Sequence, residues 1–412
     1  MKFEEYRGIA PEIKRNLDSM GIVRPTDIQF KALTPILKGE DVLAIAQTGT
    51  GKTAAFVIPV LHLLSEQKKS RKMDGIKCVV MVPTRELALQ ITAVFDKIGK
   101  GLKIKTLSLY GGVEQDPQIA RLETGVDILV TTPGRMFDLV SQGHLHLDRV
   151  QILVLDEADR MLDLGFIKDI QDAIKFLPRN RQTLFFSATI NENIKKLAYS
   201  LVKNAIRIQI SPKDPVAKNV THSVAFVEMD DKRFFLIRLV EENPDSKILI
   251  FVRTKVRAER VFKVLERSEI QSVTIHGDKD QRERIDVLQK FRANTVRILI
   301  ATDVSARGID IPDIDFVVNY DLPDEAENYV HRVGRTGRGE KKGRAISFCS
   351  TEERPMLQEI ETFITKPIKV LEISRGEYQE TIDLNEDRPD KWKAVMQEIA
   401  EAEEWKKKKK RK

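Results

Sequence analysis

Short apolar runs recur along the chain, and most of them close on a polar cluster. The first five are Val42 to Ala46, Val79 to Val82, Ile128 to Thr131, Ile152 to Leu155 and Thr183 to Phe186. Runs this short and continuous predict strands buried on both faces, as in a parallel sheet. Between them lie helical patterns such as Glu86 to Ile98, with Leu87, Ile91, Val94 and Ile98 on one face. Strands alternating with helices predict an α/β fold built on a doubly wound parallel sheet. A second series then repeats the architecture: Ile248 to Val252, Ser272 to Ile275, Ile298 to Ala301, Phe316 to Asn319 and Ala345 to Cys349, with helical patterns such as Lys255 to Leu265 between them.

The segment Ser211-Pro212-Lys213-Asp214-Pro215 has two prolines and no apolar period, which marks a linker. The expected organisation is a first domain over 1–210, a linker over 211–219, a second domain over 220–370 and a C-terminal extension over 371–412. After Val370 the strand pattern stops. Asp390 can cap a last helix that carries Trp392, Val395, Met396 and Ile399 on one side, a stripe expected to pack on its own domain. At 412 residues and 42% hydrophobic content the chain can build about two domains of ordinary size.

Cys78 and Cys349 fall in separate apolar runs, which argues against a disulfide framework and for a reducing, cytoplasmic setting. The first residues carry acids and lack an apolar targeting core, and no apolar run approaches the roughly 20 residues that span a bilayer. A protein with no membrane association is therefore expected. The net charge of +7 equals the seven Lys and Arg residues of Lys406 to Lys412, so the rest of the chain is formally neutral. Such a block is either a solvated end or a polyanion-binding arm.

Candidate chemistry sits where the strands end. Ala46-Gln47-Thr48-Gly49-Thr50-Gly51-Lys52-Thr53 follows the first run, with Ala46 where the usual phosphate-loop pattern begins with Gly. A glycine-rich turn between strand and helix aims backbone N–H groups at phosphate oxygens, while Lys52 neutralises charge and Thr53 can hold Mg²⁺. The run Val150 to Leu155 closes on Asp156, Glu157, Ala158 and Asp159, acids suited to a metal and a base. Other strand ends carry Thr84-Arg85-Glu86, Thr132-Pro133-Gly134-Arg135, Ser187-Ala188-Thr189, Arg253-Thr254, His276-Gly277, Thr302-Asp303 and Ala306 to Asp310. In His331 to Arg338, arginines alternate with glycines and offer planar donors suited to phosphate.

From about Phe3 to Ser350 the chain resembles a DEAD-box RNA helicase of superfamily 2. Matching motifs stand in family order: Gly21 to Gln29, Ala46 to Thr53, Pro83 to Ala88, Gly111-Gly112, Thr132 to Arg135, Asp156 to Asp159, Ser187 to Thr189, Ile250 to Thr254, Ala301 to Asp310 and His331 to Arg338. The resemblance implies two tandem RecA-like domains, with ATP and Mg²⁺ as cofactors. It implies Gln29 as reader of adenine, with Phe3 packing beside the base; Ile22 replaces a frequent aromatic and Asp27 a frequent proline. It implies the loop Ala46, Gln47, Thr48, Gly49, Thr50, Gly51, Lys52 and Thr53 around the phosphates, and Asp310 sensing the ribose. Asp156 would hold Mg²⁺ with Thr53, Glu157 would activate the attacking water, and Arg335 and Arg338 would stabilise the transition state. Thr84, Arg85, Gly112, Thr132, Arg135, Arg253, Thr254 and Thr302 resemble the family's RNA-contacting set, which touches backbone and 2′-OH and carries little sequence information.

The activity so implied is RNA-stimulated ATP hydrolysis, coupled to local, non-processive unwinding of short duplexes or remodelling of RNA–protein complexes. ATP and single-stranded RNA together would close the two domains about the linker, and hydrolysis would reopen them. An ATP-gated RNA clamp serving as an assembly scaffold uses the same motifs. A DNA-translocating relative is disfavoured by Gln29 and by the spelling Asp-Glu-Ala-Asp. Lys406 to Lys412 would tether structured RNA without choosing sequence. The compact core resembles bacterial members, for which ribosomal or RNA-turnover proteins are expected partners; nothing requires more than a monomer.

Overall fold

The computed structural model describes residues 2–6, 8–46, 49–70, 75–210, 216, 219–303, 314–337 and 342–386. They divide into two compact units, the first within residues 1–217 and the second within 218–412. Of the linker expected over 211–219, residues 211–215, 217 and 218 lie outside the described residues, as do the final helix after Asp390 and the basic tail.

The first unit has strands β1 (Val42–Ala46), β2 (Cys78–Met81), β3 (Thr106–Leu109), β4 (Ile128–Thr131), β5 (Ile152–Leu155), β6 (Gln182–Ser187) and β7 (Ile206–Ile210). They form one parallel sheet in the order β3-β4-β2-β5-β6-β1-β7. Because side chains alternate along a strand, each feeds two cores. Val42, Ala44, Val80, Val154 and Phe186 join one apolar layer, and Leu43, Ile45, Val79, Leu153 and Phe185 join the other. Helices cover both faces, and Phe56 of the helix Lys52–Ser70 meets Phe186 with ring centroids 5.3 Å apart. β1 therefore runs through the buried middle of the unit, and its loop rises from rigid ground.

The second unit repeats the plan with β8 (Val220–Phe226), β9 (Ile248–Val252), β10 (Val273–Ile275), β11 (Ile298–Thr302), β12 (Phe316–Asn319), β13 (Gly343–Cys349) and β14 (Lys369–Leu371), in the parallel order β10-β11-β9-β12-β13-β8-β14. Each sheet thus has strands beyond the five that its apolar runs predict. β3, β7, β8 and β14 are short or interrupted by polar residues; β3, β7 and β14 are sheet edges, where one side needs no apolar partner, and β8 lies next to the edge. Strand character also continues past Val370, to Leu371, because β14 is held by its ladder with β8 and not by an apolar run. The boundary drawn at residue 370 omits the helix Arg375–Glu386, which docks on the second unit. The Tyr378 ring packs tilted against Phe235 with centroids 4.9 Å apart and its hydroxyl donates to Asp231 Oδ2 at 2.7 Å, and Arg238 donates to Thr381 at 2.6 Å.

Cys78 and Cys349 are both buried and unpaired. Among the described residues no helix is long and apolar enough to cross a membrane.

Asp41 joins three strands of the first sheet at their starts. Its carboxylate accepts the N–H of Thr183 at 2.7 Å and of Lys203 at 2.6 Å, and its backbone carbonyl accepts the N–H of Ile206 at 2.8 Å. Replacing Asp41→Ala leaves two amides without an acceptor, each costing about 1–3 kcal/mol. Urea unfolding should therefore show the first unit destabilised by roughly 2–5 kcal/mol, with Asp41→Asn recovering about half. An unchanged midpoint in the alanine variant would show that these amides find other partners.

Candidate nucleotide and nucleic-acid site

Every strand in a unit runs the same way, so all their C-terminal ends face one edge. In the first sheet that edge has two parts. β5, β6 and β1 are neighbours and deliver the acids, Ser187-Ala188-Thr189 and the glycine loop; β2, β4 and β3 are neighbours and deliver Thr84-Arg85, Thr132 to Arg135 and the glycines after Tyr110.

The loop after β1 turns on Gly49 (φ +83°) and Gly51 (φ +90°). A Cβ on Gly51 would lie 2.5 Å from Gln29 Nε2. The close approach is functional in form: Gln29 donates from Nε2 to the Gly51 carbonyl at 3.1 Å and accepts the Thr26 N–H at 3.0 Å, tying the segment before the loop to the loop itself. Each amide atom keeps a second hydrogen-bonding position. Phe3 is 2% exposed and sits in the apolar core, its N–H on the Val23 carbonyl at 3.0 Å. Gln47 and Thr48 lie outside the described residues.

Lys52 opens the helix that follows. It is 7% exposed, and among the described residues its Nζ has no hydrogen-bond partner. A buried ammonium in that condition costs free energy unless a negative charge is near. Asp156, 3% exposed, is its electrostatic partner. Burial pushes the Asp156 carboxyl up to about 7, against the pull of Lys52 and with a further push from Glu157. A buried cation without a hydrogen-bond partner among the described residues, beside a glycine turn and facing a buried acid whose Oδ1 accepts only the Glu157 N–H among the hydrogen bonds seen, at 3.0 Å, fits a phosphate group and a divalent ion. Among the described residues no three acids, histidines or cysteines gather into a metal cage. Mg²⁺ keeps waters and phosphate oxygens as ligands and needs only one or two protein donors.

Glu157 holds a left-handed backbone (φ 52°, ψ 50°), which turns the chain from β5 into the helix Ala158–Asp163 and costs a non-glycine residue about 1–3 kcal/mol. Its Oε2 lies 3.5 Å from Arg160 Nη1. Asp159, to which the sequence reading gave no separate role, bridges two strand ends. Its Oδ2 accepts from Ala188 N at 2.9 Å, Thr189 N at 3.1 Å and Thr189 Oγ1 at 3.3 Å. The signal was available: a carboxylate and a Ser-Ala-Thr turn ending adjacent parallel strands are within reach of each other.

On the other part of the edge, Thr84 caps the helix Arg85–Ile98 by accepting the Leu87 N–H at 3.3 Å, and Arg85 lies 4.4 Å over the Tyr110 ring. Gly112 has φ +76°, Thr132 donates its N–H to Leu109 O at 3.1 Å, and Arg135 donates to Val113 O at 2.9 Å. These residues come together on one side of one unit.

In the second sheet, β10, β11 and β9 are neighbours, so His276, Thr302 and Arg253-Thr254 share an edge. Thr254 caps the helix Lys255–Arg267 by accepting the Arg257 N–H at 3.2 Å. Arg335 follows the helix Ala326–Val333 and donates from Nε to His331 O at 3.2 Å. That helix is anchored by Arg332, 1% exposed, which forks onto Asp303 with two contacts of 2.6 Å and reaches Asp321 O at 2.7 Å. Asp310 and Arg338 lie outside the described residues.

The raised Asp156 carboxyl has a measurable consequence. Between the ordinary aspartate range and about 7 the folded chain holds a proton that the unfolded chain has released, so stability falls as pH rises through that window. In buffer containing a chelator, Asp156→Asn should raise the melting temperature at pH 8, by a gain on the order of a few kcal/mol, and the gain should vanish near pH 4. Differential scanning calorimetry at several pH values checks it; a gain independent of pH would assign the effect to packing.

Comparison with known proteins agrees with this geometry. Residues 26–197 match the family model described as DEAD/DEAH box helicase, and residues 231–340 match the helicase conserved C-terminal domain. The ATP-dependent RNA helicase RhlB of Shewanella oneidensis is 40% identical over 369 residues, covering 89% of this chain and 84% of that protein. RhlB of Shewanella frigidimarina is also 40% identical, covering 90% and 86%. Among solved structures, S. cerevisiae Dbp5 bound to RNA and ADP BeF3 superposes with a TM-score of 0.81 at 30% identity, covering 92% of this chain and 98% of that one. The DEAD-box helicase Mss116 bound to ssRNA and UDP-BeF gives a TM-score of 0.82 at 30% identity, covering 92% and 81%. With both family models matched in order and this identity sustained along most of its length, the chain belongs to the DEAD/DEAH box helicases.

Proposed function

We propose that the chain hydrolyses ATP when RNA binds and uses the cycle to open short RNA duplexes or remodel RNA–protein complexes. It is an ATP-dependent RNA helicase by family. The observation that carries the residue-level reading is the buried Lys52 ammonium, without a hydrogen-bond partner among the described residues, set between the Gly51 turn and the Asp156 carboxyl. That arrangement supports a polyphosphate held by backbone N–H groups, with Lys52 compensating its charge.

In this reading Gln29 reads adenine with the second hydrogen-bonding positions of its amide, and the loop Ala46 to Thr53 cradles the phosphates. Thr53 and Asp156 would hold Mg²⁺, which would supply neutralisation of charge on the phosphate oxygens. Glu157, fixed at the strand end by its left-handed turn, accepts the proton of the attacking water. Arg335 and Arg338 stabilise charge developing on the transferred group, and Asp310 recognises the ribose. RNA lies along Thr84, Arg85, Gly112, Thr132 and Arg135 on the first unit and along Thr254 and Thr302, with Arg253 beside them, on the second. Contacts of this kind read backbone and sugar, so RNA is preferred to DNA without preference for sequence. Two buried, unpaired cysteines support a reducing compartment, the cytoplasm.

Removing the base tests the assignment. Glu157→Gln should lower RNA-stimulated ATP turnover by roughly 10²–10⁴-fold and leave nucleotide affinity nearly unchanged. Turnover is measured by phosphate release and affinity with a fluorescent ATP analogue. Unchanged turnover would remove Glu157 from the mechanism.

A further inference from the structure

The resemblance places Arg253 among the RNA contacts, yet its guanidinium is engaged inside the second unit. Nη2 donates to Glu353 Oε1 at 3.0 Å and to Leu322 O at 3.2 Å, and Nε lies 3.1 Å from Asp324 Oδ1. We propose that Arg253 is a strut and not a phosphate ligand, and that Glu353, through it, is a positioning residue for RNA binding. The inference rests on the reading of RNA as the ligand of this edge.

Glu353 ends the short turn Thr351–Glu353 after β13, beyond both segments matched to the family models. It is 1% exposed, and each of its oxygens is fully engaged. Oε1 accepts from Arg253 and from Leu322 N at 3.1 Å; Oε2 accepts from Ser350 N at 3.1 Å, Ser350 Oγ at 3.2 Å and the Lys232 ammonium. Lys232 is itself fully buried and donates to Tyr320 O at 2.8 Å. Asp321 completes the cluster: it accepts the Arg253 N–H at 3.0 Å, lies 3.2 Å from Arg257 and stands 3.9 Å from Lys232.

The Arg253 side chain is 30% exposed, but the carboxylate it holds is only 1% exposed, so drawing the guanidinium away toward a phosphate would leave the buried Glu353 charge short of a partner in a low dielectric. The cluster also fixes both ends of one turn. Arg253 N and the Arg257 side chain share Asp321, and Thr254 between them caps the helix through the Arg257 N–H. Thr254 and the strand-end backbone are therefore set in place by the Asp321 carboxylate, while Glu353, about a hundred residues after Arg253, holds the Arg253 side chain that leaves the same turn. A neutral residue at 353 would release Arg253 and let this edge move.

Binding of a single-stranded U10 oligonucleotide in the presence of a non-hydrolysable ATP analogue, measured from 50 to 200 mM salt, tests this. A direct phosphate ligand contributes about one counterion to the salt slope; a strut contributes none. Arg253→Gln and Glu353→Gln should each weaken RNA binding by about tenfold or more with the salt slope and ATP-analogue affinity unchanged, and the double variant should be no weaker than the weaker single one. A slope reduced by about one in Arg253→Gln, or RNA affinity within twofold of the unaltered chain in Glu353→Gln, would overturn the proposal. Should Glu353→Gln fail to fold, the paired change Lys232→Met with Glu353→Gln removes opposite charges together and is read the same way. Absence of RNA binding by the unaltered chain would instead refute the proposed function, since the variants are read only relative to it.

Discussion

Parallel strands cannot be joined by a tight turn; each must return through a crossover, and the consequence governs this protein. All seven strands of each sheet end on one edge, so residues separated by a hundred positions in sequence meet there without any dedicated loop architecture. Strand order then sorts the chemistry. The acids and the glycine turn come from β5, β6 and β1, and the polar residues proposed for RNA from β2, β3 and β4. One sheet thereby carries on a single edge both the residues proposed for nucleotide and those proposed for RNA. Asp159, bonded to the turn after β6, locks the two strands that carry the acids and the Ser-Ala-Thr segment.

Buried charges here are of two kinds, those saturated by partners and those that are not. Glu353, Lys232 and Asp321 are saturated by hydrogen bonds and opposite charges, the condition in which buried ions persist without a ligand. Lys52 is also buried, yet among the described residues its Nζ has no hydrogen-bond partner, and burial raises the carboxyl of Asp156, its electrostatic partner. Such incompleteness is tolerated where a ligand supplies the missing partners. Glu157 adds backbone strain at the same strand end.

How much of this could be read from the sequence depended on whether burial was two-sided. β1, β4, β5, β9 and β12 are buried throughout, and their apolar runs coincide with the strands residue for residue. β7 and β14 expose alternate or successive residues, so neither shows a run, and the helix Arg375–Glu386 is held by Tyr378 and Thr381 and not by an apolar stripe. Candidate site residues were legible because chemistry constrains them to special residue types next to those runs. Hydrogen-bond partners were not: nothing in the local sequence of Glu353 points to Arg253, because their meeting depends on β13 and β9 flanking β12.

That last dependence extends to Arg332. It reaches Asp303 after β11 and the Asp321 carbonyl after β12, while the Asp321 carboxylate holds Arg253 after β9. The helix bearing Arg332 leads directly into Arg335, so the proposed transition-state arginine and the proposed RNA-facing strand ends share a single framework of buried hydrogen bonds. Interactions of this kind are stiff, because displacing any member strands a charge away from water. The RNA contacts proposed at Thr254 and Thr302 would therefore act on a body that already includes Arg335, with no flexible relay needed between the two proposed roles inside the second unit.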